Sequence, residues 1–178
     1  VRLGSSREAL YRLGEDAGDY LNDYGSYEFS LGRPIFASTS KALRATYGFE
    51  WTEHRFSSST VAFLPSPSDR RLSMLKAHVG YQEAHYINES RINQFERRED
   101  FSLGLEATLR LAYSARVLGA YQDEFLPYVE LRRGYLFAPG SFVVASAHLY
   151  GIYTGDSWRQ SIDAAQATYY KKGLLGPR

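Results

Sequence analysis

Phe101-Ser102-Leu103-Gly104-Leu105-Glu106-Ala107-Thr108-Leu109-Arg110-Leu111-Ala112-Tyr113 is the stretch whose reading decides the fold. Its odd positions are all apolar, while its even positions are Ser102, Gly104, Glu106, Thr108, Arg110 and Ala112. With 44% apolar residues in the chain, seven apolar residues in succession at one parity arise by chance roughly 0.3% of the time. On a helix those side chains would spread around the whole circumference. The one feature that suits a helix is the Glu106/Arg110 pair, four residues apart. Period two fits better, so 101–113 is predicted to be a strand with one apolar face and one polar face.

The same alternation recurs along the chain. Leu43, Ala45, Tyr47, Phe49 and Trp51 interleave with Arg44, Thr46, Gly48, Glu50 and Thr52. Leu75, Ala77, Val79 and Tyr81 interleave with Lys76, His78, Gly80 and Gln82, and a shorter copy sets Tyr27, Phe29 and Leu31 against Ser26, Glu28 and Ser30. The segments 125–137, 142–154 and 158–171 read as strands from their β-branched and aromatic content, with mixed parity that predicts bulges. Residues 7–13 form a candidate first strand. The expectation is an all-β, antiparallel fold of about eight strands in one domain, 1–178, with several strands longer than the ordinary 5 to 6 residues. Turn chemistry falls at Gly32-Arg33-Pro34, 65–69, Ala138-Pro139-Gly140 and Thr154-Gly155-Asp156-Ser157.

Composition narrows the class. The 178 residues carry 21 Lys+Arg against 20 Asp+Glu, a net charge of +1 that offers no basic footprint for nucleic acid. Cysteine is absent, which removes disulfides, thiolate metal sites and cysteine nucleophiles. Aromatic residues make up 15%, with 15 Tyr and a single Met, a balance that favours sheets. Mean hydropathy is −0.39, which suits a soluble protein. It equally suits a membrane β-barrel, whose strands alternate lipid-facing apolar with lumen-facing polar residues. Val1 is not an initiator Met, and no basic start or apolar run follows it. The expectation is a processed chain or a piece of a longer one.

Candidate chemistry is sparse. Ser146 and His148 share one strand face, with Glu130 on the preceding strand to orient the His. That order suits a serine esterase, but no oxyanion feature is readable. The acidic run Glu15, Asp16, Asp19, Asn22 and Asp23 fits no EF-hand spacing and is expected to be a solvated loop. His54, His78, His85 and His148 show no ligand spacing, so no metal and no cofactor is expected. On the polar parity, Arg44, Glu50, Lys76, Glu106, Arg110, Glu130 and Arg132 would line the water-filled lumen of a barrel. In a soluble sandwich they would be ordinary surface.

Several stretches carry a family resemblance. They are 6–12, 47–56, Leu64-Pro65, 69–72, 79–83 and Arg98-Glu99-Asp100-Phe101-Ser102-Leu103-Gly104. In order along most of the chain they resemble the barrel of BamA/TamA-type bacterial outer-membrane proteins, the bacterial surface antigen family. The resemblance implies an antiparallel transmembrane β-barrel of sixteen strands in the outer membrane of a Gram-negative cell, commonly preceded by periplasmic POTRA domains. It implies an assembly or translocation role without enzymatic activity, with outer-membrane lipid and client outer-membrane or secreted proteins as partners. Two features depart from the family. Its Arg-Gly-aromatic loop motif has one candidate, Arg133-Gly134-Tyr135, which sits inside a predicted strand. Its last strand ends in an aromatic residue, whereas 173–178 reads Gly-Leu-Leu-Gly-Pro-Arg. Together they predict a chain that stops about halfway round, with unpaired first and last strands. The alternatives are a self-contained eight-stranded outer-membrane protein, structural or a lipid esterase using Ser146 and His148, and a soluble lipocalin-like binding barrel.

Overall fold

In a computed structural model that describes residues 2–12, 15–58, 68–90, 98–155 and 157–172, the chain is built almost wholly of antiparallel β-strands. They are β1 (Arg2–Arg12), β2 (Glu15–Ala37), β3 (Lys41–Ser58), β4 (Arg70–Glu83), β5 (Tyr86–Ser90), β6 (Arg98–Ser102), β7 (Glu106–Ser114), β8 (Glu124–Ala138), β9 (Ser141–Thr154) and β10 (Ser157–Lys171). A single 3-10 turn, Arg116–Leu118, is the only helical piece among the described residues. Eight strands form one sheet in the order β1-β2-β3-β4-β7-β8-β9-β10, and β5 pairs with β6 as a separate hairpin. Every neighbour in the large sheet is also the next strand of that sheet along the chain, so the whole is an up-and-down meander.

The sheet is open. Among the described residues β1 pairs only with β2 and β10 only with β9, so the ladder does not close into a barrel. The terminal strands, expected to lie unpaired, are its two edges. β1 also covers only part of its neighbour, because its first residue, Arg2, pairs with Ser26. Residues 27–37 of β2 therefore have no partner on that side among the described residues, and Pro34, which cannot donate to a ladder, sits there at a register shift between Pro34 and Phe36 in the pairing with β3. Pro127 lies in the interior strand β8. Its absent donor coincides with missing β8–β9 pairs at Leu126 and Pro127, the register being the same at Phe125 and Tyr128 on either side.

Four expectations need correcting. The stretch 101–113 is not one strand: β6 ends at Ser102, Leu103–Leu105 leave the sheet, and β7 begins at Glu106. The cause is close backbone contact. A Cβ on Gly104 would lie 1.8 Å from the Glu83 carbonyl oxygen, and Leu103 is buried against Gly134 with its carbonyl accepting the Gly134 N–H at 3.1 Å. The acidic run 15–23 is strand backbone paired with β1 rather than a loop, because β2 is 23 residues long. The side chains of Glu15, Asp16 and Asp19 lie outside the described residues, as do the Pro65–Pro67 turn and the terminal 173–178. The third correction concerns Phe101, which does not belong to the apolar row of β7: its ring packs instead on Phe142 and Tyr170.

The fourth is the turn expected at Gly32-Arg33-Pro34, which lies inside β2 and pairs with β3, whereas β8, β9 and β10 have the bounds read from the sequence to within a residue or so. Predicted bulges appear as register shifts between Leu136 and Ala138 and between Trp158 and Gln160. The tight β8–β9 and β9–β10 turns place Gly140 at φ 70° and Gly155 at φ 57°, a region costly for any residue with a Cβ. Few large apolar side chains are buried. Phe142 at 0%, Leu103 at 2% and Met74 at 6% exposure are the main ones, while Phe29, Tyr47, Leu75 and Tyr113 all stand at least half exposed.

Candidate functional site

The two faces of the sheet differ sharply. One register rung runs Phe29, Phe49, Leu75, Tyr113, Phe125, Tyr153 and Trp158, crossing seven strands without a polar residue. The parallel rung of Phe36, Leu43, Tyr81, Ala107, Leu131, Ala147 and Ala165 is also entirely apolar. Between them, Ala45, Val79, Leu109, Val129 and Leu149 form a third row that ends in Arg33 on β2 and Asp163 on β10.

Charge bounds this apolar band along the strands. On β3 and β4 it gives way at one end to Lys41 and Glu83, paired at 3.4 Å, and at the other to Glu53. Glu53 is 8% exposed and accepts hydrogen bonds from Arg71 and, at 3.2 Å, from Arg55. The Arg71 guanidinium also lies 5.0 Å from the centre of the Tyr121 ring.

The opposite face carries the predicted charged residues. Glu50, Lys76 and Arg110, together with Glu28, His78 and Tyr128, line a cavity of about 560 Å³ that draws residues from six successive strands. Such a lining requires the sheet to bend around it, so this is the concave face. Lys76 Nζ donates to Glu28 and Glu50, each at 2.7 Å, joining β2, β3 and β4. Arg132 donates to Glu106 at 3.0 Å between β8 and β7. The Arg110 guanidinium lies 3.8 Å from the centre of the Tyr128 ring, whose hydroxyl donates to Glu130 at 2.7 Å. Arg44 is on the same parity opposite Gly80, with no ion-pair partner among the described residues. All seven predicted residues thus share one face; Lys76 pairs with Glu50 and Arg132 with Glu106, Arg110 lies over the Tyr128 ring, and Arg44 has no ion-pair partner among the described residues.

Parity alone missed the strongest tie on this face. Glu124 is 1% exposed and takes Arg70 at 2.7 Å and Arg159 at 3.7 Å, with Gln122 hydrogen-bonded beside it. This ties β4, β8 and β10 together across the sheet. Nothing in the local sequence marks Glu124, because its partners lie 54 and 35 positions away.

Ser146 and His148 also share the concave parity. Their register partners across the β8–β9 ladder are Arg132 and Glu130. The order Ser, His, Glu is therefore present, but no hydrogen bond joins Ser146 to His148 among the described residues. No group of three or more His, Asp or Glu residues suited to a metal ion occurs among the described residues. The chain's class is thus an open, antiparallel all-β sheet with an apolar outer face and a charged concave one. No family model, curated protein or solved structure matches the chain.

Proposed function

We propose that the chain is part of an outer-membrane β-barrel that takes part in inserting, assembling or translocating proteins. The observation that carries this reading is the apolar band on the convex face, with two rungs unbroken over seven strands and with charge at both of its ends on β3 and β4. From Leu43 to Trp51 it runs roughly 27 Å at about 3.4 Å per residue. A strand tilt of about 40° reduces that to roughly 21 Å of height, close to the ~25 Å apolar belt of outer-membrane barrels. A lipocalin-like soluble barrel would carry its apolar face inside and its charges outside, the reverse of this arrangement. The open edges favour a larger wall over a closed eight-stranded barrel, since hydrocarbon leaves unpaired N–H and C=O groups unsatisfied. The assembly role rests on the family resemblance and on these same edges, which offer strand-pairing templates.

The test begins with cell fractionation after expression behind a secretion signal. The expected result is recovery in the outer membrane and a requirement for detergent; a monodisperse, detergent-free soluble protein would overturn the membrane reading. For the assembly role, the full chain is placed in lipid vesicles and the folding of a denatured outer-membrane barrel is timed. Faster folding than in empty vesicles is expected, and an unchanged rate rejects that role.

A further inference from the structure

The edge strand β10 is held unevenly. At its start, Trp158 stacks edge-on against Tyr153 at 5.5 Å and Arg159 reaches Glu124. Its middle, 160–167, carries small or polar side chains apart from Ile162, all of them exposed, and is held by the ladder to β9. Its end keeps that ladder, through Lys171 opposite Ser141, and is held by side-chain packing as well. The ring of Tyr170 stacks on Phe142 at 4.7 Å, and Phe101 of β6 closes on both, 4.8 Å from Phe142 and 5.1 Å from Tyr170. Beside that trio, Glu89 of β5 accepts the Gly140 N–H at 3.0 Å and Lys172 Nζ at 3.5 Å, while the Lys172 N–H donates to the Gly140 carbonyl at 2.8 Å.

The hairpin supplying Phe101 and Glu89 leaves the main sheet after β4 and returns to it at β7, three strands from β10. It is anchored at its root. Leu103 N–H donates to the His85 carbonyl at 2.7 Å, and the Leu103 side chain covers Gly134, where a Cβ would lie 2.3 Å from its Cδ2. The hairpin therefore passes along the charged face of β8 and β9 and ends on the last turn of β10.

The geometry points to the β5–β6 hairpin as a strap that fixes the C-terminal end of β10 from the concave side. β10 is an edge, so any strand that joins the sheet there meets a strapped end and a loosely held middle. Displacing the hairpin leaves residues 168–172 held by β9 and Gly140 alone, and fraying them from β9 removes the hairpin's seat. Strand exchange at this edge and hairpin docking are thus one coupled equilibrium. The strap follows from packing alone and does not depend on the membrane assignment.

Hydrogen exchange by mass spectrometry on the folded full chain tests it, in buffer or detergent as solubility requires. Phe101→Ala is expected to speed exchange across 168–171 about tenfold, leaving 157–160 and the interior strand β4 as in the wild type. Glu89→Ala should act on the same amides more weakly. Since the chain has no cysteine, Phe101→Cys with Tyr170→Cys presents one thiol pair to a short bifunctional reagent, and the cross-linked protein should exchange more slowly at 168–171. Unchanged exchange there in a folded Phe101→Ala protein overturns the strap. If Phe101→Ala unfolds the whole sheet, the cross-linked protein decides: failure to link, or linkage without slowing, overturns the strap equally.

Discussion

Leu109 and Arg110 are adjacent in sequence and stand on opposite faces, one 41% exposed in the apolar band and the other in the charged cavity. If lipid covers that band, Leu109→Arg should cost about 2–4 kcal/mol near the bilayer midplane, while Thr108→Arg on the concave face should be mild. Denaturant unfolding in lipid vesicles measures both, and equal losses would mean the faces are wrongly assigned. Gly134→Ala is a test at the same scale: its new Cβ would meet Leu103, so a loss of about 1–3 kcal/mol from overpacking is expected in the same assay, and none if Leu103 can move aside. These glycines also show where sequence reading fails. Leu103 keeps the apolar parity of 101–113, yet it is buried outside the sheet, because parity records side-chain type and not whether the backbone stays paired. Gly104 was the available signal, since a glycine inside an alternating run marks a close backbone approach.

At the scale of the element, the strands with clean alternation were legible because a half-exposed sheet must alternate. The observed ranges of β8, β9 and β10 lie within a residue or so of those read from β-branched and aromatic content. The first half of β2 was not legible. Its acidic residues resemble a loop, and only pairing with β1, set by backbone geometry, makes them strand. The hairpin strands β5 and β6 and the turn after them were equally opaque, because their contacts are with β8, β9 and β10, which lie far along the chain. The Glu124 tie belongs to the same category. Glu124→Gln keeps the volume and removes the charge from a buried carboxylate bonded to Arg70, whose side chain is 39% exposed. Breaking a fully buried pair costs about 3–5 kcal/mol, and the exposure of Arg70 brings the expected loss nearer to about 2 kcal/mol. Chemical denaturation of the two proteins side by side measures it; a stability within about 0.5 kcal/mol of wild type would show that the tie contributes little.

For the whole molecule, the decisive property is that the sheet has two long open edges, and each environment treats them differently. In water, unpaired N–H and C=O groups bond to solvent at little cost. In hydrocarbon each unsatisfied group costs several kcal/mol, so an eight-stranded open sheet cannot span a bilayer with bare edges. The uncovered part of β2, the outer side of β1 and the outer side of β10 must all be paired there. The apolar band adds a second constraint, because its exposed side chains are stable in lipid and prone to association in water. Both arguments converge on one expectation. Reconstituted into vesicles without other proteins, this 178-residue chain should be found only in assemblies of two or more copies, whose edges cover one another. Cross-linking in the bilayer, read by mass, checks this. A monomer that spans the membrane stably, with β1 and β10 as protected from exchange as β4, would show that the edges close on each other in lipid. It would favour the small-barrel alternative and make Ser146 and His148 the next residues to substitute.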